Sequence, residues 1–352
     1  MIVRTSIGGR RARVQLSNAF GASALKIGAA HLALRDRGSA IVPSSDRALT
    51  FGGKAQFAIP SGAEALSDPV DLDVPKLGDL VISIYVPGDA GSPTNHLTGL
   101  HTTYISKAGD FSGAATFPDA NTTQSWYWLS GVHVLAPPDA GLIVAFGDSI
   151  TDGATSTPDT DNSWPSHLAR RLAANKSTAN LAIVNEGISG NRLLNDGAGI
   201  SALARFDRDV LAQPGVKWLI VLEGINDIGF AALPGAQASD TVTADDLISA
   251  HKQIIERAHL HGIKAIGATL TPYTGALYYT DRGEELRQAF NEWIRNGKAY
   301  DAVIDFDMAV RDTENPKQIR AAYNIRDHLH PNDPGYKAMA DAVDLSLFNR
   351  RK

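Results

Sequence analysis

Leu142-Ile143-Val144-Ala145-Phe146-Gly147-Asp148-Ser149-Ile150-Thr151-Asp152-Gly153 opens with apolar residues, stops on a glycine and passes at once into Asp, Ser and Thr. A short unbroken apolar run that meets a turn signal reads as a strand buried on both faces. Such strands belong to parallel sheets sandwiched between helices. Gly147 permits a tight exit from the strand, and Ser149 then stands at the carboxyl edge of the sheet, where ligands bind in folds of this kind. Gly-Asp-Ser alone is a weak signal, since all three residues also favour ordinary turns. The stretch is not the Gly-x-Ser-x-Gly elbow of another hydrolase class.

Downstream the same rhythm repeats. Leu181–Asn185, Lys217–Leu222, Ile263–Leu270 and Ala302–Phe306 are further strand candidates. Between them lie helical patterns. Over 281–296, Leu286, Ala289, Phe290, Trp293 and Ile294 fall at helical spacing and predict an apolar face. The helix over 244–261 opens with Thr243 and, three residues later, Asp246, a capping pair. Strand–helix alternation predicts a three-layer α/β/α domain.

Upstream the rhythm is different. Ala12, Val14 and Leu16 alternate with Arg11, Arg13 and Gln15; Ala55, Phe57 and Ile59 alternate likewise; Ile82 to Val86 form an apolar run; Trp126 and Trp128 are expected on one face of a strand, followed by Val132 and Val134. Short strands punctuated by Gly, Pro, Ser and Asp predict a β-sandwich or jelly-roll-like module. Ala136-Pro137-Pro138-Asp139-Ala140-Gly141 reads as a linker. The expected division is therefore a β-rich domain over 1–138 and an α/β domain over 139–352.

Three more segments carry chemistry. Gly187-Ile188-Ser189-Gly190-Asn191 follows one strand candidate and Gly224-Ile225-Asn226-Asp227 follows another, while Asp327-His328-Leu329-His330-Pro331 lies near the C-terminus. Attack of a serine on an ester carbonyl places negative charge on oxygen, and donors set in advance around that oxygen lower the barrier. Gly190 can offer a backbone N–H, Asn226 a side-chain amide and Ser149 its own backbone N–H; Asn191 is a rival to Gly190. Asp327 and His330, three apart, can meet on one side of a tight turn, the carboxylate orienting the ring and the far nitrogen taking the Ser149 proton. His328, two residues from His330, should point elsewhere. Asp148 and Asp152 are expected to fix the loop through backbone N–H groups, and Glu223 to play a structural part. The two histidines, or Asp305 and Asp307, could be read as metal ligands, but no third ligand cluster stands near the histidines and strand-end carboxylates usually cap or anchor loops.

Gly147-Asp148-Ser149-Ile150-Thr151-Asp152-Gly153, Val184 to Arg192, Val221 to Asp227 and Asp327 to Asn332, in that order, resemble the four sequence blocks of the SGNH hydrolases, also called the GDSL family. Thr269-Leu270-Thr271-Pro272-Tyr273 also suits that family. The resemblance implies a flavodoxin-like parallel-sheet hydrolase domain. It implies Ser149, Asp327 and His330 as catalytic residues, and Ser149, Gly190 and Asn226 as the oxyanion hole. It further implies a carboxylester hydrolase that needs no cofactor and no metal, acts on short acyl esters, and rises in activity as His330 loses its proton. The first half resembles the β-rich extension of a bacterial subgroup with xylan-esterase-like and other carbohydrate-esterase-like members, carried by strings such as Arg13-Val14-Gln15-Leu16-Ser17-Asn18 and Leu49-Thr50-Phe51-Gly52-Gly53. The expected partner is a small-molecule or polysaccharide ester. The rival readings are a broad arylesterase, a lysophospholipase-like acylhydrolase, and a carbohydrate-binding protein whose hydrolase site is inert.

Composition narrows the alternatives. At 352 residues, 43% hydrophobic and 20% charged, the chain is ordinary globular material with room for two cores. A formal charge of −5 argues against a nucleic-acid partner, and the short clusters Arg10-Arg11-Ala12-Arg13 and Arg170-Arg171 do not reverse it. The absence of cysteine excludes thiolate catalysis and cysteine-based zinc sites. No apolar run reaches membrane-spanning length. Met1 leads directly into what reads as the interior of a strand, with no signal peptide. The resemblance implies a secreted or periplasmic protein if a leader precedes this start, and a cytoplasmic one otherwise.

Overall fold

The structure is a computed structural model that describes residues 1–117 and 120–349. The chain divides into two compact units, Met1–Asp139 and Ala140–Lys352. Among the described residues no helix is long and apolar enough to cross a membrane.

The first unit is built from antiparallel sheets. One joins Ile2–Arg4, Asp79–Tyr85, Ala29–Leu34 and Arg47–Ala48 in that order; another joins Leu129–Val134, Gly9–Ser17 and Glu64–Leu66, with Val70–Val74 also on Gly9–Ser17. Alternation decides which side of each strand is covered. Ala12, Val14 and Leu16 are buried while Arg11 and Arg13, which alternate with them, are exposed. The buried set shares one core with Ala30, Leu32, Leu80 and Ile82 of the other sheet. Two expectations are corrected here. Trp126 and Trp128 do not share a strand face: Trp126–Tyr127 pairs with Asn95–His96, and Trp128, at φ +57°, turns the chain left-handed before Leu129–Val134 begins. A bulky residue in that region ends a ladder rather than extending it. Ala55 is exposed and precedes the strand Phe57–Ile59.

The second unit holds a five-stranded parallel sheet: β1 (Gly141–Gly147), β2 (Leu181–Gly187), β3 (Val216–Leu222), β4 (Lys264–Ala268) and β5 (Ala302–Ile304), in spatial order 2-1-3-4-5. That is the flavodoxin-like order, whose switch point lies beside β1. Every residue of β1 is buried, which is why it shows no alternation. Register places Gly147 level with Gly187 on one side and Leu222 on the other. The ends of the three motif-bearing strands therefore lie side by side.

Helices cover the sheet as the α/β/α reading requires. They are α1 (Ser149–Asp152), α2 (Trp164–Ala174), α3 (Ala202–Phe206), α4 (Ile225–Phe230), α5 (Ala244–Leu260), α6 (Asp281–Asn296), α7 (Phe306–Val310) and α8 (Asp333–Ala342). α8 packs on α2 and α7, while α5 packs on α3 and α6, and α6 on α4. The Thr243–Asp246 pair forms a reciprocal cap on α5: the Asp246 carboxylate accepts from the Thr243 N–H at 2.9 Å, and the Thr243 hydroxyl accepts from the Asp246 N–H at 3.2 Å.

The buried face of α6 is rotated from the predicted one. Glu284, Arg287, Phe290, Asn291 and Ile294 are buried, whereas Leu286 is half-buried and Ala289 exposed. The physical reason is a buried charge network. Arg287 donates to Glu284 at 2.8 Å, to Asp307 at 2.8 Å and to the Leu270 carbonyl at 2.7 Å. Charges can be taken out of water only when paired in this way. Asp305 and Asp307 thus anchor Arg287, Arg295 and the start of α7.

Candidate active site

Ser149 is placed by the end of β1. At Gly147 a Cβ would lie 2.3 Å from the Leu222 carbonyl, so only glycine lets β1 leave the sheet against β3. Asp148 caps α1, its carboxylate accepting from the Ile150 N–H at 2.9 Å. Ser149 is the first residue of that turn, where a backbone N–H has no acceptor within the helix. Asp152 closes the turn against the next segment, accepting from the Ser189 hydroxyl at 2.6 Å and its N–H at 3.0 Å.

The Gly187–Asn191 turn is bonded to this one along its length. Ile188 N–H donates to the Gly147 carbonyl at 3.0 Å, and Asn185 Nδ2 donates to the Thr151 carbonyl at 2.8 Å. A Cβ on Gly187 would lie 2.1 Å from the Asp152 nitrogen, so α1 sits directly on this glycine. Gly190 has φ +80°, a left-handed turn position. Asn191, the rival donor, is otherwise engaged: its amide nitrogen bonds the Ala198 and Ile200 carbonyls and its oxygen accepts from Arg205.

Asn226 lies in the first turn of α4, entered through Gly224 at φ +122°. Its Nδ2 donates to the Asn191 carbonyl at 2.9 Å, and its Oδ1 receives the Tyr278 hydroxyl at 3.1 Å. Asp227 accepts from the backbone N–H groups of Leu193 and Leu194 at 2.7 and 3.0 Å. The third segment is thus tied to the second, as the second is to the first.

Asp327 and His330 meet in a tight turn. One carboxylate oxygen accepts from the Leu329 and His330 N–H groups, each at 2.9 Å, and the other lies 2.6 Å from His330 Nδ1. His330 Nε2 lies 2.8 Å from Ser149 Oγ. Burial raises the Asp327 pKa, but the imidazole and the two backbone N–H groups outweigh it and leave the carboxyl below the ordinary aspartate value. An ionised Asp327 requires a proton on Nδ1 and leaves Nε2 to accept from the serine hydroxyl. His328, at φ +60°, turns away: Asn324 Nδ2 lies 3.1 Å from its Nδ1, and its ring packs where a Cβ on Gly275 would stand. Among the described residues no group of three His, Cys, Asp or Glu side chains is arranged to hold a metal.

Beneath the serine lies a group that sequence reasoning left unassigned. Arg205, fully buried, donates to the carbonyls of Gly147 at 2.9 Å and Glu186 at 2.8 Å, to Asn191 Oδ1 at 2.9 Å and to Asp209 at 3.0 Å. It thereby joins the ends of β1 and β2. Its guanidinium also stacks 4.1 Å above the Phe146 ring. Glu223 is fully buried, 3.9 Å from Arg205; burial, with Asp148 nearby, raises its pKa well above the usual value. Burial likewise lifts Asp148 to about 7 and Asp227 to about 6, against the hydrogen bonds each accepts. No periodicity or motif marks Arg205, because three of its four hydrogen-bond partners lie 14 to 58 residues away in sequence. Tyr278 lies in no motif; its hydroxyl's link to Asn226 spans 52 residues of sequence.

A hydroxyl, an imidazole and a carboxylate in one hydrogen-bonded row, at the carboxyl edge of a parallel α/β sheet, is the arrangement of the serine-hydrolase class. Residues 143–343 match the family described as GDSL-like lipase/acylhydrolase. The chain belongs to that family, the SGNH or GDSL acylhydrolases. Among solved structures it is similar to a putative lipolytic protein of the G-D-S-L family from Desulfitobacterium hafniense DCB-2, at 25% identity over 57% of this chain and 96% of that one, with a TM-score of 0.43. It is similar also to Axe2, an acetylxylan esterase from Geobacillus stearothermophilus, at 21% identity over 57% and 91%, TM-score 0.46. A putative acylhydrolase from Bacteroides fragilis NCTC 9343 is 20% identical over 59% and 86%, TM-score 0.42. No curated protein matches the chain in a sequence comparison.

Proposed function

We infer that this protein is a serine carboxylester hydrolase that removes short acyl groups from hydroxylated alcohols, acetylated carbohydrate foremost, through an acyl-enzyme. Ser149 Oγ attacks the ester carbonyl while His330 Nε2 takes its proton. The imidazolium is stabilised by Asp327 and returns the proton to the departing alcohol. Water, deprotonated by the same nitrogen, then attacks the acyl carbon; the acid leaves and Ser149 regains its proton. Backbone N–H groups of Ser149 and Gly190 and the Asn226 amide receive the developing oxyanion. The observation that carries the reading is the continuous row from Asp327 through His330 to Ser149, at 2.6 and 2.8 Å.

The turn that follows Gly190 bears on the alcohol half. Arg192, Asn195 and Asp196 make its outer side polar, and Arg192 is paired with Asp240 at 2.6 Å. Such a rim suits a sugar better than a lipid tail. The resemblance of the first unit to the extension of carbohydrate-esterase-like members points the same way.

A fluorophosphonate probe is expected to label Ser149, and Ser149→Ala to lower ester hydrolysis by at least about 10³-fold. Full activity in Ser149→Ala sinks the mechanism, and saccharide binding without labelling favours an inert binder. Acetate release from acetylated xylan, compared with hydrolysis of long-chain and aryl esters, decides the substrate. Faster cleavage of the long-chain or aryl esters favours the lysophospholipase-like or arylesterase alternative.

A further inference from the structure

The Asn226 side chain is gripped at both of its polar atoms. The partner of one, the Asn191 carbonyl, is an oxygen that can only accept. The amide nitrogen must therefore face Asn191, at 2.9 Å, and the amide oxygen must face Tyr278, at 3.1 Å. The Tyr278 hydroxyl has no choice but to donate. An amide nitrogen carries two N–H bonds; one is committed to Asn191, which leaves one for an incoming oxyanion.

Tyr278 is built to make this contact. It sits in the segment 274–280 between neighbours of contrasting exposure: Leu277 is 95% exposed, whereas Tyr278 is 7% exposed. Its ring lies against α4, where a Cβ on Gly229 would come 2.5 Å from a ring carbon, so that glycine makes room for it. Phe230 meets the ring edge-on at 5.9 Å and Tyr273 at 6.0 Å, fixing its plane. Burial, with Asp148 close by, keeps the phenol protonated far above the usual range.

The geometry points to Tyr278 as a positioning residue for the reaction, whose hydroxyl holds the Asn226 amide in the one orientation that presents an N–H to the oxyanion. The hydrogen bond also draws electron density from the amide oxygen, which makes the opposite N–H a better donor as charge develops. The role rests on the reading of Asn226 as an oxyanion donor, and it is exerted through Asn226 alone.

A double-mutant cycle tests it on the full chain: wild type, Tyr278→Phe, Asn226→Ala and the double variant, with p-nitrophenyl acetate as substrate. Rates are expressed per serine titrated by fluorophosphonate, so that misfolded molecules do not count. Asn226→Ala is expected to lower kcat about 10²-fold. Tyr278→Phe keeps the ring and is expected to lower kcat about tenfold with KM within about twofold, because a mis-set donor is felt in the transition state rather than in binding. The double variant should be no slower than Asn226→Ala, within about twofold. A tenfold further loss in the double variant, or an unchanged kcat in Tyr278→Phe, overturns the assignment of Tyr278 while leaving Asn226 in place. An unchanged kcat in Asn226→Ala removes the oxyanion reading of that residue and the Tyr278 role with it.

Discussion

Asp148 shows how closely ionisation is coupled to folding at this site. Its folded pKa of about 7 stands above the ordinary aspartate value of 3.8, chiefly because the group is buried. Between those two values the folded chain keeps a proton that the unfolded chain has lost. Stability therefore falls as pH rises through that window, and below it both states are protonated and no penalty arises. An asparagine in place of this aspartate would keep the N-cap, since its amide oxygen can also accept from Ile150, yet it cannot ionise. Asp148→Asn is thus expected to gain stability against the wild type between pH 4 and pH 8, on the order of 2–4 kcal/mol. Urea unfolding of both proteins at the two pH values measures it, and an equal difference at both would contradict the burial argument. Asp327 behaves in the opposite way, since its hydrogen bonds hold its pKa down. The stability it adds is present at neutral pH and is lost only as the solution becomes acidic enough to protonate it.

The elements that carry the site are bonded to one another at the turns that end them. β1, β2 and β3 finish level, and each hands its polar segment to the neighbour: Ile188 to the Gly147 carbonyl, Ser189 to Asp152, Asn226 to Asn191, Leu193 and Leu194 to Asp227. Arg205 reaches in from α3 and holds the carbonyls at the ends of β1 and β2 together. This mesh makes Gly187 a critical contact. A methyl group there would stand 2.1 Å from one backbone atom of α1 and 2.6 Å from another, with no flexible side chain to yield. Gly187→Ala is expected to lose about 2–4 kcal/mol of stability. It should also lower kcat at least about tenfold, because α1 carries Ser149 and small misplacements of a nucleophile are costly. Denaturant unfolding and steady-state kinetics on one preparation check both, and a variant with native stability would show that the sheet and α1 can separate freely.

Across the whole molecule the division of labour follows the two compact units. The hydrogen bonds that shape the site, from Gly147 to His330, join residues of Ala140–Lys352, and the parallel sheet with its helices supplies that unit's own core. A fragment starting at Ala140 is expected to unfold in one cooperative transition. It should hydrolyse p-nitrophenyl acetate within about tenfold of the full chain. Calorimetry and the same ester assay test this; a fragment that folds but loses activity would show that the first unit supports the chemistry. Comparing acetate release from acetylated xylan by the fragment and by the full chain measures what the first unit adds to substrate choice.

Much of this was legible from residue order. The apolar run ending at Gly147, the Thr243–Asp246 cap and the alternation about Val14 are local signals, and local signals survive in a string because neighbours in sequence are neighbours in space. Asp327 and His330 were readable as a pair for the same reason, being three residues apart in one turn. The α6 face was misread because Arg287, paired with Glu284 on the same helix, is buried against Asp307 and the Leu270 carbonyl on other elements, which periodicity does not register. The straight strand through Trp128 failed because hydropathy carries no backbone dihedral. Arg205 and Tyr278 lie in no motif, since Arg205 gathers oxygens from separate segments and Tyr278 reaches Asn226 across 52 residues that include α5 and β4. Short-range patterning thus sets the elements and their chemistry, while long-range packing alone selects which buried side chain meets which distant oxygen.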